Sequence, residues 1–232
     1  AGRRNTMKRI AFWGCYPFWE KGIDSQIQEN IERIYLKDPC IEAWFSGRQD
    51  LAELKAAGVV QDYKNAHPEQ DISLVRVSSP FDDVFPKKED RFKTVTYREI
   101  SVPPKIWSKD INTEKVRTFS SGYRWMLSQC NILFSYNYDA LPDYSTRQVL
   151  RIRRIFPDLE IIRLFIPETA AKIEEEIQYL PEMKRSILQE AQVGISMGKI
   201  AENHGISYTR VGQILEYTSL DVLRKASGLQ KS

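Results

Sequence analysis

The chain has 232 residues, 42% of them hydrophobic and 28% charged, with 34 Lys and Arg against 31 Asp and Glu for a net charge of +3. That length suits one α/β domain of about 170 residues plus a small helical one, and so mild a charge selects no class of partner. No apolar run approaches the ~20 residues of a membrane span, no charged-then-apolar leader opens the sequence, and only two histidines, His67 and His204, are available for base or metal chemistry. Cys15, Cys40 and Cys130 are odd in number and widely spaced, which fits a reducing cytoplasm and makes no zinc pattern. The expected location is therefore cytoplasmic, with no membrane partner and no metal.

Residues 1–7 read as a disordered extension. Residues 8–16 (KRIAFWGCY) form a short apolar run ending at Gly14, the pattern of a buried strand entering a turn. Asp24 is placed to cap the helix that follows, with Ile27, Ile31, Ile34 and Tyr35 on one face and Pro39 beyond its end. Residues 41–46 (IEAWFS) are a second strand, residues 49–60 a second helix with Leu51 and Leu54 inward, and residues 72–77 (ISLVRV) a third strand. Strand and helix alternating at this spacing predict a parallel sheet covered by helices on both faces, which takes ligands at the C-terminal ends of its strands.

Residues 81–115 break the rhythm with Pro86, Pro103, Pro104 and charges of both signs among aromatics. A structureless loop of that length is unusual in a compact domain, so the insertion is expected to carry a short helix or strand and to serve as a lid or contact arm. The pattern resumes with a helix over residues 116–129 that buries Phe119, Met126 and Leu127, and a strand over residues 131–136. Asp143 is placed to cap a helix over residues 144–156, and residues 160–166 make the fifth expected strand. Arg147, Arg151 and Arg154 fall at i, i+4 and i+7 on that capped helix; they make either a solvated face or an auxiliary contact with DNA phosphates.

Pro167 and Glu168 open a linker helix over residues 168–179. The last stretch, residues 180–232, reads as three short helices. Ile187, Leu188 and Ala191 recur at helical spacing; Val193-Gly194 interrupts them; Met197, Ile200 and Ala201 begin a second helix that His204-Gly205 stops. Ser207 is placed to N-cap the third, in which Ile206, Val211 and Ile214 share one side. Two helices joined by a tight turn, the second with a buried stripe and a polar outer face, have the pattern of a helix-turn-helix.

This stretch resembles the fourth conserved region of bacterial sigma factors. The elements that carry the resemblance are Leu180-Pro181-Glu182, Ile200-Ala201-Glu202, Gly205-Ile206-Ser207 and Arg210-Val211-Gly212-Gln213-Ile214, in that order and spacing. The resemblance implies that Ser207, Tyr208, Thr209, Arg210 and Gln213 form the DNA-binding surface, with Arg able to fork onto guanine and Gln onto adenine in the major groove. From Leu180 onward seven Lys or Arg stand against five acids, thin for a DNA reader, so a dimer, RNA polymerase or the rest of the chain is expected to add affinity. A protein-docking tail is the competing reading of the same three helices.

The sheet domain, residues 8–167, resembles the SLOG superfamily, which groups the DNA-processing protein of natural competence with the cytokinin-activating phosphoribohydrolases. The carriers are Ile10 to Gly14, Phe45-Ser46-Gly47 followed by Asp50, the end of the third strand, and Arg124-Trp125-Met126 leading through Cys130-Asn131 into Ile132-Leu133-Phe134. The resemblance implies a site for a nucleotide or other small anionic ligand, lined by Gly14, Cys15, Ser46, Gly47, Arg48, Arg124, Ser145 and Thr146. The sequence departs from the family at two places: one glycine, Gly47, stands where a pair is usual, and Asp143-Tyr144-Ser145-Thr146 replaces a Gly-Gly-Thr. Side chains there crowd a diphosphate, and Ser46 with Gln49 has the spacing of a capping box, so the same residues also suit plain helix starts. No catalytic residue emerges, because the phosphoribohydrolase combination of a Gly-rich motif with a nearby Glu is missing.

The fold expected is thus a Rossmann-like α/β domain followed by a small all-α helix-turn-helix domain. The function expected is a DNA-binding transcriptional regulator of bacterial or phage type, a homodimer on double-stranded DNA. The alternative is a SLOG-type nucleotide-binding or nucleotide-cleaving protein whose helical tail docks a partner.

Overall fold

The computed structural model describes residues 7–14, 16–46, 51–78, 95–103 and 121–229. They divide into two compact units, one of residues 1–135 with 155–164, the other of residues 136–154 with 165–232. The expected disordered extension (residues 1–7, apart from Met7), most of the 81–115 insertion and the start of the helix expected at Val116 lie outside the described residues.

The first unit is built on a six-stranded sheet. Its strands are β1 (Lys8–Trp13), β2 (Cys40–Phe45), β3 (Asp71–Ser78), β4 (Arg98–Ser101), β5 (Ile132–Tyr136) and β6 (Glu160–Leu164), in the order β4-β3-β2-β1-β5-β6. The registered pairs are all parallel, from Ile10 opposite Ala43 and Ile132 to Val75 opposite Arg98. Helices flank both faces, as the burial of β5 throughout, of β1 from Ile10 to Trp13 and of β2 from Ile41 to Phe45 requires. Among them, α1 (Ile23–Tyr35) packs against α2 (Leu51–Ala66), and α3 (Ser121–Ser128) lies on β1, where the Tyr123 hydroxyl donates to the Phe12 carbonyl at 2.8 Å.

Phe12 stacks on Phe45 with ring centres 4.9 Å apart and meets Phe134 edge-on at 5.4 Å. One face also carries a buried carboxylate. Glu42 accepts from Arg9 Nε at 3.0 Å and Trp44 Nε1 at 3.1 Å, and Arg98 closes a further ion pair with it. The register places Arg9, Glu42, Trp44 and Arg98 on the same side of neighbouring strands, so this network ties the edge strand to the middle of the sheet.

Three local expectations change. Asp24 does not cap α1; the helix starts after Gly22, whose φ is 101°, and Asp24 sits in the first turn accepting from Trp19 Nε1 at 2.5 Å. The inward face of α2 is made by Ala52, Ala56, Ala57, Val59, Val60 and Tyr63, with Leu51 and Leu54 half-buried, because short side chains let the helix settle close on the strands. The insertion carries a short strand, β4, one of the two elements expected of it, and the pairing of that strand with β3 gives the sheet six strands where five were expected.

The second unit is helical: α4 (Tyr144–Ile155, whose final residue falls in the first unit), α5 (Pro167–Gln178), α6 (Glu182–Gln192), α7 (Met197–His204) and α8 (Tyr208–Ala226). Asp143 caps α4, its carboxylate accepting from the Thr146 amide at 2.9 Å. The 19-residue α8 is the hub, packing against α5, α6 and α7 through Val211, Ile214, Leu215, Val222 and Leu223. Ile173 and Ile177 of α5 and Ile187 and Leu188 of α6 complete its core.

Candidate nucleic-acid interface

Two copies of the tripeptide Gly-Ile-Ser shape the α6–α8 region. Gly194 and Gly205 take left-handed φ values of 84° and 62°, a conformation that costs a glycine nothing. The following isoleucine amides then bond back to the preceding helix, Ile195 to the Glu190 carbonyl and Ile206 to the Ala201 carbonyl, both at 3.0 Å, which closes each helix end. Each serine opens the next helix: Ser196 Oγ accepts from the Lys199 amide at 3.3 Å, and Ser207 Oγ from the Arg210 amide at 3.1 Å. Ser196 was not among the residues singled out from sequence, although the repeated tripeptide is its signal.

On α8, Val211, Ile214 and Leu215 are buried while Tyr208, Thr209, Arg210 and Gln213 are exposed, Tyr208 by 62%. Arg210 Nη1 donates to Gln213 Oε1 at 3.3 Å, so the two residues stand side by side on the open face. Tyr217, 71% exposed, extends that face and was also missed. Gly212 lets the side chain of Met197 approach; a methyl group there would lie 3.3 Å from Met197 Cε.

A polar clasp fixes α7 to α6. Glu190 accepts from Asn203 Nδ2 at 2.7 Å, pairs with His204 Nε2 at 2.5 Å and accepts from Ser186 Oγ at 3.2 Å. Hydrogen bonds from Asn203 and then His204 hold its carboxyl below the usual carboxylate range. His204 is thus the last residue of α7, tied to a carboxylate. On α4, Arg147 donates to the Pro142 carbonyl at 3.0 Å and pairs with Glu216 of α8 at 2.7 Å, so one member of the expected basic stripe is taken up inside the unit.

The eight residues expected around an anionic ligand are distributed as follows. Cys15, Gly47 and Arg48 lie outside the described residues, and so does Gln49, the expected capping partner of Ser46. Gly14 is buried at the end of β1 and Arg124 is exposed on α3. Ser46 donates from its amide and its hydroxyl to the buried Glu53 carboxylate, at 2.9 and 2.8 Å. Ser145 and Thr146 are buried in the first turn of α4, where the Thr146 hydroxyl donates to the Tyr138 carbonyl at 3.2 Å. The strand order reverses between β1 and β5, the position at which such sheets take ligands, and the sheet is compatible with nucleotide or small-ligand binding in general.

Among the described residues no group of His, Cys, Asp and Glu is arranged to hold a metal ion. Burial pushes the free thiols of Cys40 and Cys130 up to about 11 and about 12, which makes both poor nucleophiles at neutral pH. No described helix is long and apolar enough to cross a membrane.

No protein-family model matches the chain, and no curated protein matches it. A crystal structure of pantothenate synthetase from Thermus thermophilus aligns with 94% of this chain and 76% of its own at 13% identity. The TM-score of that alignment, 0.29, is too low to bear on fold or function.

Proposed function

We propose that the protein binds double-stranded DNA through α6, α7 and α8, used as a helix-turn-helix of the sigma region-four type, and acts as a transcriptional regulator whose SLOG-like sheet domain senses a ligand or mediates dimerisation. The observation that carries this reading is the split character of α8. Its first two turns bury Val211, Ile214 and Leu215 and leave Tyr208, Thr209, Arg210 and Gln213 in solvent. A helix held from behind with Arg and Gln on its open N-terminal face suits entry into a major groove, where those side chains distinguish guanine and adenine.

The test is selection of bound sequences from random duplex DNA, followed by competition gel shifts with the R210A/Q213A variant. Each bidentate base contact provides about 1–3 kcal/mol of discrimination, so the variant is expected to lose its preference for the selected site while keeping its helical content. Unchanged selectivity overturns the assignment.

A second reading rests on the sheet. Its Rossmann-like order, with the reversal between β1 and β5, supports a nucleotide-binding protein of SLOG type whose helical tail docks a partner such as RNA polymerase. Thermal-shift screening with nucleotides and sugar phosphates separates the two, since a large shift removed by R48A favours the second.

A further inference from the structure

Helices α1 and α2 pack side by side within the sheet unit, and between them runs a groove of about 440 Å³. Its α1 side carries Gln28, Glu29 and Glu32 and its α2 side Asp62, Tyr63 and His67, and no Lys or Arg is among the residues lining it. Glu29, Glu32 and Asp62 are exposed, and none of the three carboxylates makes an ion pair among the described residues. In a chain of net charge +3 that is a local reversal of sign. The groove also reaches the C-terminal end of α2, whose dipole adds negative potential.

Acids on a helix surface are ordinarily just solvated, so Tyr63 is the deciding residue. It is 6% exposed, and its hydroxyl is buried without a hydrogen-bond partner. Gln70 acts on that hydroxyl without meeting hydrogen-bond geometry, and Glu32 is among the charges that reach it, which sets it on the groove's side. The ring is held by His67, with ring centres 4.5 Å apart, and His67 faces Glu69 at 3.6 Å. Burial pushes the hydroxyl's ionisation up, so at neutral pH it keeps its proton and offers oxygen lone pairs as acceptors. Leaving such a group unpaired is costly, and a donor seated in the groove supplies the partner it lacks.

We infer that the α1–α2 groove binds a linear aliphatic polyamine, whose ammonium groups meet Glu29, Glu32 and Asp62 and one of which donates to the Tyr63 hydroxyl. The groove's volume lies in the range that takes small ligands. A metal ion does not suit it, because no described group of His, Cys, Asp and Glu is arranged to hold one. Glu29 and Glu32 are neighbours one turn apart on α1, and Asp62 stands on the other helix, so the negative charge is spread along the groove. Several point charges on a flexible apolar chain match that spread, and an ammonium group is also attracted to a tyrosine face. The ligand is opposite in charge to the one expected at the strand ends. The inference stands apart from the DNA reading, since it concerns the sheet unit alone and needs no nucleic acid. The competing role, a solvated acidic surface, responds to ionic strength and to nothing more specific.

The experiment titrates the full chain, free of nucleic acid, with spermidine at fixed ionic strength, by calorimetry and by thermal melts. Sodium chloride, magnesium chloride and tetralysine serve as comparison titrants, and circular dichroism verifies the fold of each variant. Spermidine should bind saturably and raise the melting temperature with concentration, as any ligand of the native state does. E32Q/D62N keeps the shapes of two exposed side chains and removes their charges; it should weaken spermidine about tenfold. Y63F removes only the hydroxyl and should weaken it about threefold. A melting shift no larger than that given by magnesium chloride at the same ionic strength overturns the inference, and so does spermidine binding that E32Q/D62N leaves unchanged. Saturable binding of tetralysine by a chain that ignores spermidine also overturns it, and gives the groove to a basic protein segment.

Discussion

Glu190 shows how much of the helical unit rests on single side chains. Its carboxylate gathers Ser186 from its own helix with Asn203 and His204 from the end of α7, and so holds the helix preceding the Gly205 turn at a set angle to α6. The hydrogen bonds favour the ionised form, which is why the carboxyl ionises at lower pH in the folded chain than in the unfolded one. A carboxyl depressed in this way contributes its stability in full above its unfolded pKa, about 4.3, and loses it as pH falls toward the lower folded value. An E190Q protein keeps the shape and forfeits the charge. It should melt below the wild type at pH 7, and the gap should close as the pH drops through the carboxylate range, in melts followed by circular dichroism; a gap independent of pH rules out the charge as the cause.

At the level of elements, the repeated Gly-Ile-Ser explains why three helices fit into so short a stretch of chain. The tripeptide ends one helix in a left-handed glycine, turns the isoleucine back to close the free carbonyls, and caps the next helix with serine, at residues 194–196 and again at residues 205–207. Glycines in and beside α7 separate this role from mere smallness. A methyl group added at Gly198 or at Gly205 meets nothing within 4 Å, but only Gly205 has a positive φ, of 62°. G205A should therefore lower stability by about 1 kcal/mol through backbone strain, whereas G198A should raise it by up to about 1 kcal/mol through helix propensity. Urea denaturation of the two variants checks the pair; equal signs would show that something other than φ governs the turn. These features were legible in the sequence because they are local: Ser207, Gly205, Asp143 and the apolar spacing of α8 all act on neighbours within a few residues. The place of strand β4 within the insertion and its membership of the sheet were not, since Arg-Glu-Ile-Ser is short, charged and without apolar alternation, and what holds it is distant, namely Glu42 for Arg98, and the Ser78 carbonyl for the Val102 amide at 3.1 Å.

For the molecule as a whole, the same distinction governs where the chain divides. The end of the linker helix opened by Pro167 and Glu168 puts the expected boundary near Leu180, yet the compact helical unit takes in residues 136–154 and 165–179 as well. The reasons are again contacts between residues far apart: Arg147 with Glu216, 69 positions away, the Gln192 side chain donating to the Ala140 carbonyl, and α5 lying along α8. The expected ligand edge was legible only as a location in the sheet, because the sequence does not show that Ser46 and Thr146 are engaged by Glu53, Asp143 and Tyr138 on folding. If α8 depends on α5 for much of its core, a fragment of residues 180–232 loses the helix that carries the buried Ile173 and Ile177 and bares part of the apolar face of α8, which includes Leu215, Val222 and Leu223. Baring side chains of that size costs about 1.5–3 kcal/mol each, against a total stability of only about 5–15 kcal/mol for an ordinary domain. The 180–232 fragment should accordingly show a broad, weakly cooperative thermal transition, and a fragment of residues 165–232 a sharper one at higher temperature with more helix per residue. Matching transitions for the two fragments would place the true boundary at Leu180 and reduce α5 to a connector.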